Sequence, residues 1–349
     1  MRPLLKQKDL RAPLPQRPAD RAAASPQHHA WVAAHLTRRD RWIARMLAEH
    51  RVLTSTQLTQ LAFPSRRAAN LRLRQLYQWR VVNRFQPFIG RGRAPMFYVL
   101  DITGAHVLAH EDGTDPTALK YRPERSIGIA HSIRLAHLHG VNGFFTGLIA
   151  TARRHPRSRL LAWWPETRCA RHFGDIVRPD GYGRWIEHGR TLEWFLEWDT
   201  GSYQLQRLAA KLHDYAKLRA ITQINTPLLL CFASPHREAH AREILTRQVR
   251  ETAHADTTPI ATTSADRIRH SAAEAVWLPL EPPTPDRCRL ADLADRWPHV
   301  AVPARSDQQA ARIADSGGTA TLTPPEPMPP WSSARDLTWH HAPEACRRR

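Results

Sequence analysis

The stretch "FLEWDTGSYQLQRLAAKLHDY", Phe195–Tyr215, joins a strand-like segment to an amphipathic helix through a glycine. From Thr191 onward, the two-residue period of a strand places Glu197 and Asp199 on one face, at the end of the strand. Lys211 flanks the apolar stripe of the helix, so its ammonium group can lean back over the strand end. The stretch therefore predicts two carboxylates and a lysine close together.

The segments on both sides of this stretch predict its fold. A long helical segment, His131–His155, precedes three strand-like segments, and the apolar segment "TPLLLCFAS" follows the helix. The order helix, three strands, helix, strand predicts an α/β sandwich over residues 121–280. Asp180, in "RPDGYG", and Glu166, in "WWPE", stand at the ends of neighbouring strands, so we expect them beside Glu197.

These clustered acids have two interpretations, because like charges repel unless a cation or salt bridges lie among them. In the structural one, the acids pair with arginines such as Arg178 and Arg184, or Asp199 stabilises the N-terminus of the following helix. In the functional one, carboxylates from adjacent strand ends bind Mg²⁺, with Mn²⁺ as a substitute, while water and a substrate phosphate complete the shell. The spacing of the residues leaves both open.

The histidines and the short catalytic motifs narrow the class of site. His137 and His139 form an H-x-H pair, but on a helix their side chains diverge by about 200°, so we predict that both are surface residues. The sequence has no H-E-x-x-H motif, phosphate-binding glycine loop or G-x-S-x-G motif. Zinc protease, NTPase and hydrolase functions therefore have no support.

Residues 37–112 form a separate block, with three helical segments followed by a hairpin. Thr54 and Gln57 make a capping-box signature at the start of the second helix, and "SRRAANLRLRQLYQW" follows as the third. Two strand-like segments then flank the turn "GRGR", Gly90–Arg93. Three helices and a hairpin are the order of a winged helix-turn-helix domain. We therefore predict a two-domain protein of the α+β or α/β class, with this domain first and the α/β sandwich second.

The third helix of this block predicts DNA contact, because the major groove admits one helix and a flanking hairpin can follow the backbone. Leu71, Leu73, Leu76 and Trp79 can form its inward face. The candidate DNA-binding residues point outward or lie at the hairpin tip: Arg66, Arg67, Asn70, Arg74, Arg91 and Arg93. The alternative is a winged helix that contacts protein, with arginines that only reflect a GC-rich genome.

Composition favours a nucleic-acid partner. The formal net charge is +19 and the pI is near 11.0, so most of the surface attracts anions. A membrane surface is the rival partner, but no apolar run approaches the roughly 20 residues that cross a bilayer, and no signal peptide is recognisable. The four cysteines are scattered, which argues against a zinc ribbon or a disulfide framework. We expect a cytoplasmic protein that binds double-stranded DNA.

The two ends of the chain, 1–36 and 281–349, are rich in Pro and polar residues and show no apolar period. Such segments cannot bury enough apolar surface to offset their conformational entropy. We therefore predict that both are disordered tails.

The motifs "RPDG", "FLEWD" and "KLHDY" resemble the PD-(D/E)XK nuclease core, the restriction-endonuclease-like fold. In that family the first Asp and the second acid hold metal, and a lysine two residues later positions the attacking water. Asp180 and Glu197 match the two acids, whereas Asp199 stands where the lysine belongs. In some members the lysine has moved to the following helix, which here carries Lys211. The resemblance thus implies Asp180, Glu197, Asp199 and Lys211 as catalytic residues, with Glu166 as a further metal ligand.

The order of the motifs, from the winged helix through "VNGFF", "WWPE" and "FLEWD" to "KLHDY", resembles the replication-relaxation family of plasmids and other mobile elements. This resemblance covers roughly 38–234. It implies a DNA-binding protein of plasmid replication or mobilisation, with a relaxase or replication proteins as partners. One hypothesis adds Mg²⁺-dependent DNA cleavage, and the other makes the second domain an inactive accessory or regulator that binds only DNA and partner proteins.

Overall fold

The computed structural model describes residues 5–13, 20–89, 93–115, 121–201, 205–222, 225–251, 258–281 and 286–298. The chain divides into two compact units. The N-unit comprises the described residues of 11–132, and the C-unit comprises those of 5–10 and 133–298. Arg91 and the segment 299–349, on which two of the predictions fall, lie outside the described residues.

The N-unit is mainly helical. Its helices are α1 Pro26–His35, α2 Arg38–His50, α3 Ser55–Ala62, α4 Arg66–Gln78, α5 Ile102–Glu111 and α6 Pro123–Ile127, followed by a 3-10 helix at Gly128–His131. Its strands are β1 Arg11–Pro13, β2 Leu53–Thr54, β3 Val82–Phe85, β4 Pro87–Phe88 and β5 Phe97–Leu100. β2, β5 and β3 form an antiparallel sheet in that order, and β1 pairs with β4. The predicted three helices and hairpin are therefore present as α2, α3, α4, β3 and β5.

The start of α3 is set by the capping box that the sequence predicted. The Gln57 backbone N–H donates to Thr54 Oγ1 at 3.2 Å, and the Thr54 backbone N–H donates to Gln57 Oε1 at 2.9 Å. Each side chain thus satisfies a backbone N–H that would otherwise lack a partner at the helix start. This prediction is confirmed.

Arg72 determines which face of α4 points inward. Its Nε donates to Asp40 Oδ1 at 2.9 Å, and Asp40 is fully buried on α2. Asp40 Oδ2 also accepts from the Thr37 backbone N–H at 2.8 Å, so one carboxylate caps α2 and holds α4. Leu73 and Leu76 are fully buried beside this ion pair. Because a buried carboxylate that loses its cation is costly, α4 is held in a single orientation.

Two predictions for the N-unit need correction. Leu71 was expected on the inward face of α4, but it is 63% exposed because Leu73 and Leu76 already fill the inward face. The prediction of disorder over 1–36 does not hold for 20–36, which contains α1. There Arg21 forms an ion pair with the buried Asp101, and Val32 is fully buried, so one charged anchor and a few apolar contacts order a segment without an apolar period.

The C-unit is a mixed α/β structure. After a 3-10 helix at Gln7–Asp9, its helices are α7 Leu135–Ala152, α8 Glu166–Phe173, α9 Leu205–Thr222, α10 Pro235–Glu251 and α11 Asp292–Arg296. Its strands are β6 Ser158–Pro165, β7 Gly181–Glu187, β8 Arg190–Trp198, β9 Leu228–Phe232, β10 Ile260–Ser264 and β11 Leu278–Pro279. They form one six-stranded sheet in the order β11-β10-β9-β8-β7-β6. β8, β9 and β10 run parallel to one another, and the other neighbours are antiparallel.

The two faces of this sheet carry different helices. Phe145 of α7 stacks on Trp163 and Trp194, with ring centroids 5.2 Å and 6.4 Å apart. On the opposite face, Phe195 packs with Tyr215 of α9 in a core that also includes residues of α8 and α10. The strand β8 is consequently buried on both faces from Trp194 to its end. The sheet is therefore enclosed between helices, as the sequence predicted for an α/β sandwich.

A two-residue turn fixes the register of β7 against β8. His188 and Gly189 connect the paired residues Glu187 and Arg190, and both have positive φ, 50° and 81°. Positive φ at both central positions is a property of the type I′ turn, whose twist matches that of a hairpin. A side chain at Gly189 would have to adopt the left-handed region, which most residues avoid.

The prediction of disorder over 281–349 also does not hold for the described part, 286–298. Arg287 forms a bidentate ion pair with Glu238 of α10, and the two Nη–Oε distances are 3.0 Å and 2.9 Å. Leu290 and Leu293 are fully buried in this segment. Because Glu238 is buried, its charge requires the arginine, and this pair holds the segment on the C-unit.

Candidate functional site

The sheet register brings three acids into one row. β7 and β8 pair Gly181 with Leu196, so one step further Asp180 lies opposite Glu197. β6 and β7 pair Pro165 with Gly181, so one step further Glu166 lies opposite Asp180. The predicted acids therefore occupy equivalent positions at the ends of three adjacent strands. Together with Arg134, His137 and Lys211, which contact them, they form what we call the acid cluster.

Asp180 is the central member of the cluster. Its Oδ2 accepts from the Trp198 backbone N–H at 2.8 Å and lies 3.0 Å from Nε2 of His137. Nη2 of Arg134 lies 3.8 Å from the other oxygen, Oδ1. The Asp180 carboxylate is thus held by β8 on one side and by α7 on the other.

Glu197 is buried and has partners on α9. Nζ of Lys211 lies 2.7 Å from both carboxylate oxygens, and the Tyr215 hydroxyl donates to Oε1. Lys211 also donates to the backbone carbonyl of Arg178 at 2.8 Å. The lysine expected to lean over the strand end therefore contacts the acid directly.

Glu166 begins α8 and makes a bidentate ion pair with Arg134. The two Nη–Oε distances are 3.0 Å and 2.8 Å. Arg134 precedes α7, and its Nη2 also lies 3.8 Å from Asp180 Oδ1, so it links the two acids. The structural interpretation of paired acids is thus realised through Arg134 and Lys211, whereas Arg184 pairs with Glu193.

Asp199 lies apart from these contacts, although the strand period placed it on the same face as Glu197. The strand ends at Trp198, and the side chain of Asp199 accepts from Arg237 of α10, with Nη2 at 3.2 Å. Its Oδ1 also accepts from the Gly201 backbone N–H at 3.0 Å. Among the predicted catalytic residues, the structure brings together Asp180, Glu197 and Lys211.

Two members of the cluster, Arg134 and His137, and the Glu197 partner Tyr215 were missed by sequence reasoning. His137, predicted at the surface, is buried against Asp180, and His139 is half-buried. The reason is Gly140, where a Cβ atom would lie 2.4 Å from the Trp198 ring, so α7 approaches β8 closely one turn after His137. Tyr215 ends the quoted stretch, but it was not predicted to contact an acid. A glycine one turn after a histidine was the available signal.

Burial and charge change the pKa values of the cluster. Burial, with a further contribution from the charge of Asp180, raises the pKa of Glu197 to about 7, although Lys211 and Tyr215 oppose the shift. Burial acts to lower the pKa of Lys211, but the charges of Glu197 and Asp180, the hydrogen bond to Glu197 and the charge of Glu166 together raise it. Burial lowers the pKa of His137 despite the opposing charge of Asp180. The imidazole therefore favours its neutral form.

We expect Glu197 to make the protein less stable as the pH rises from its ordinary pKa of 4.5 to about 7. In this window the folded state holds a proton on Glu197 that the unfolded state has released, so the unfolding free energy falls with rising pH. Urea unfolding at pH 5 and pH 7.5 should show a fall that is larger in the wild type than in Glu197→Gln, by about 1–3 kcal/mol.

The difference between the two proteins is the relevant quantity, because His137 has a lowered pKa and contributes a slope of the opposite sign. Both proteins contain His137, so its contribution cancels. Equal pH slopes for wild type and Glu197→Gln would contradict the assignment.

The carboxylates of the cluster are compatible with a Mg²⁺ ion that takes only a few of its ligands from the protein. Among the residues that the structure describes, no three His, Cys, Asp or Glu side chains are arranged as a ready metal site. Mg²⁺, however, often takes only one or two carboxylates and completes its shell with water and substrate phosphate. Asp180 and Glu197 supply two carboxylates that lie opposite each other on neighbouring strands, and Nη2 of Arg134 lies 3.8 Å from Oδ1 of Asp180.

The outward face of α4 is the second candidate site. Arg66, Arg67, Asn70 and Arg74 are all exposed, and within the described chain none of these side chains has a hydrogen bond or ion pair. Arg93, at the end of the predicted hairpin tip, is exposed as well. The face therefore presents three uncompensated guanidinium groups and an amide to solvent.

Comparison with known protein families shows the family of the chain. The family model described as replication-relaxation matches residues 45–229, more than half of the sequence. The chain belongs to the replication-relaxation family. The match includes α4 and every acid of the cluster together with Lys211, so both candidate sites lie inside the shared region. Membership indicates a role in the replication or mobilisation of plasmid or mobile-element DNA.

Other comparisons add no further relative of this replication-relaxation protein. No curated protein and no solved structure matches the chain. Within the described residues, no helix combines the length and the apolar character needed to cross a membrane.

Proposed function

We propose that this replication-relaxation protein binds double-stranded DNA through α4 and the β3–β5 hairpin. The observation that carries the proposal is the exposed, unpaired set Arg66, Arg67, Asn70 and Arg74. Side chains near the N-terminus of a helix reach base edges when the helix enters the major groove. Guanidinium groups without internal partners are free to bind phosphates or guanine edges.

The order of elements in the N-unit supports this use of α4. An α-β-α-α-β-β order with an antiparallel sheet β2-β5-β3 is that of a winged helix. The buried pair of Arg72 with Asp40 keeps the basic face of α4 directed outward before DNA is present. A surface that is already oriented loses less conformational entropy on binding. The net charge of +19 adds a general attraction to phosphate.

The experiment that tests the proposal is titration of a fluorescent duplex with the wild-type protein at several salt concentrations. Each neutralised phosphate contributes about −0.9 to the slope of log affinity against log salt, so three arginines predict a slope of about −3 or steeper. An affinity that does not change with salt would contradict binding through α4. A relaxase or a replication protein is the proposed partner on the same DNA.

Phosphodiester cleavage at the acid cluster is the second candidate function, and it is favoured by one observation. Lys211 contacts Glu197 at 2.7 Å, and Glu197 lies opposite Asp180, so two acids and a lysine meet at the ends of adjacent strands. This combination, together with the element order α7-β6-α8-β7-β8-α9-β9, supports a restriction-endonuclease-like fold for the C-unit.

In this second function, Asp180 and Glu197 would hold a divalent ion, Mg²⁺ or Mn²⁺, which would supply an activated hydroxide and stabilise the leaving oxygen. The protein's own residues prepare the site. The Trp198 N–H and His137 orient Asp180, and Tyr215 orients Glu197. Lys211, which contacts Glu197, would add a positive charge that stabilises the charge of a phosphate bound beside the ion.

A further inference from the structure

One large aliphatic side chain lies at the edge of the basic face of α4. Leu71 is 63% exposed, and its neighbours on the helix surface, Arg67 one turn before and Arg74 three residues after, are exposed too. With a rotation of about 100° per residue, the exposed positions from Arg66 to Arg74 span an arc of about 140° that includes Leu71. An apolar contact is thus available among the proposed DNA-binding groups.

The exposure of Leu71 follows from the way α4 is anchored. The next residue, Arg72, bonds the buried Asp40, and Leu73 is fully buried, so α4 cannot rotate to cover Leu71 without breaking both interactions. Leu71 therefore contributes little to the core of the free protein. Ile133 and Ile221 are exposed as well, at 86% and 70%, but neither belongs to α4.

We propose that Leu71 contacts the 5-methyl group of a thymine in the major groove, and that this contact makes one thymine a preferred base of the DNA site. The inference rests on the proposed DNA binding through α4. Thymine is the only base that presents a methyl group in the major groove. Leu71 lies in the second turn of α4, within the N-terminal half that enters the groove in such domains.

The test begins with selection of preferred sites by the wild-type protein from a library of duplexes with a random core. In the selected duplex, each thymine is then replaced singly by deoxyuridine, which keeps the base pair and removes only the methyl group. One replacement should weaken wild-type binding about three- to tenfold, the effect of one buried methyl contact. Leu71→Ala should bind the thymine duplex weaker by a similar factor and should be insensitive to the same replacement.

Ile221→Ala is the matched control, because it removes an exposed aliphatic side chain from the C-unit. It should keep both the affinity and the methyl sensitivity of the wild type. The inference is overturned if every deoxyuridine duplex binds the wild type as tightly as the thymine duplex. It is also overturned if Leu71→Ala remains as methyl-sensitive as the wild type. Failure to enrich or bind any duplex would overturn the proposed function itself, and the inference with it.

Discussion

Nicking or cutting of supercoiled plasmid in Mg²⁺ or Mn²⁺ is expected to fall about a hundred- to a thousandfold in both Asp180→Asn and Glu197→Gln. Each substitution keeps the size of the side chain and removes one of the two opposed carboxylates of the acid cluster. Lys211→Met should cause a loss of similar order, because its ammonium group contacts Glu197. The measurement is the rate of conversion of supercoiled to open-circular and linear plasmid.

The matched control is Asp199→Asn, which removes the same charge two residues after Glu197. Because Asp199 pairs with Arg237 and not with the cluster, this variant should keep most of the cleavage rate. Thermal unfolding of all variants separates loss of function from loss of fold. If the wild type binds DNA but cleaves it with neither metal, the cluster is structural, and the protein acts as a DNA-binding accessory or regulator.

Replacement of Arg66, Arg67 and Arg74 together by alanine is expected to weaken duplex binding about a hundredfold near physiological salt. These arginines are exposed and unpaired within the described chain, so their removal breaks no internal ion pair and should leave the fold intact. The salt slope should become shallower by about 2.7, which is 0.9 for each lost phosphate contact. Fluorescence anisotropy over a range of salt concentrations measures both quantities.

A control of equal charge comes from Arg154, Arg157 and Arg159, three exposed arginines of the C-unit. Their replacement by alanine lowers the net charge by the same amount but leaves α4 unchanged. This variant should bind DNA close to wild-type affinity. An equal loss in both triple variants would mean that overall charge, and not the surface of α4, determines binding.

Local patterns predicted much of the fold. The capping box of Thr54 and Gln57 needs only residues three apart, and it has the predicted hydrogen bonds. Lys211 was predicted beside the strand end from helical spacing and from its position near an apolar stripe, and it contacts Glu197. In both cases the deciding interaction is short in sequence or connects two consecutive elements.

The interactions that could not be predicted from the sequence connect segments that are far apart in the chain. His137 contacts Asp180 because α7 packs against Trp198, a contact between residues far apart in the chain. α1 is anchored through Arg21 and Asp101, which are 80 residues apart. Asp199 fits the two-residue period of β8 in the sequence, but the strand ends at Trp198 and the Asp199 carboxylate pairs with Arg237. Periodicity describes one element and contains no information about its neighbours.

The hairpin between β7 and β8 has a consequence for mutations far from the acid cluster. Its turn, His188–Gly189, and the pair Asp180 and Glu197 lie at opposite ends of the same two strands, about 25 Å apart at the usual rise per residue. Suppose that a residue is inserted in the turn and that the resulting register shift extends along the whole strand pair. Asp180 would then lie opposite the wrong residue, and its side chain would point to the other face of the sheet. A genetic screen for lost function would then select lesions at this remote surface turn alongside lesions of the acids themselves.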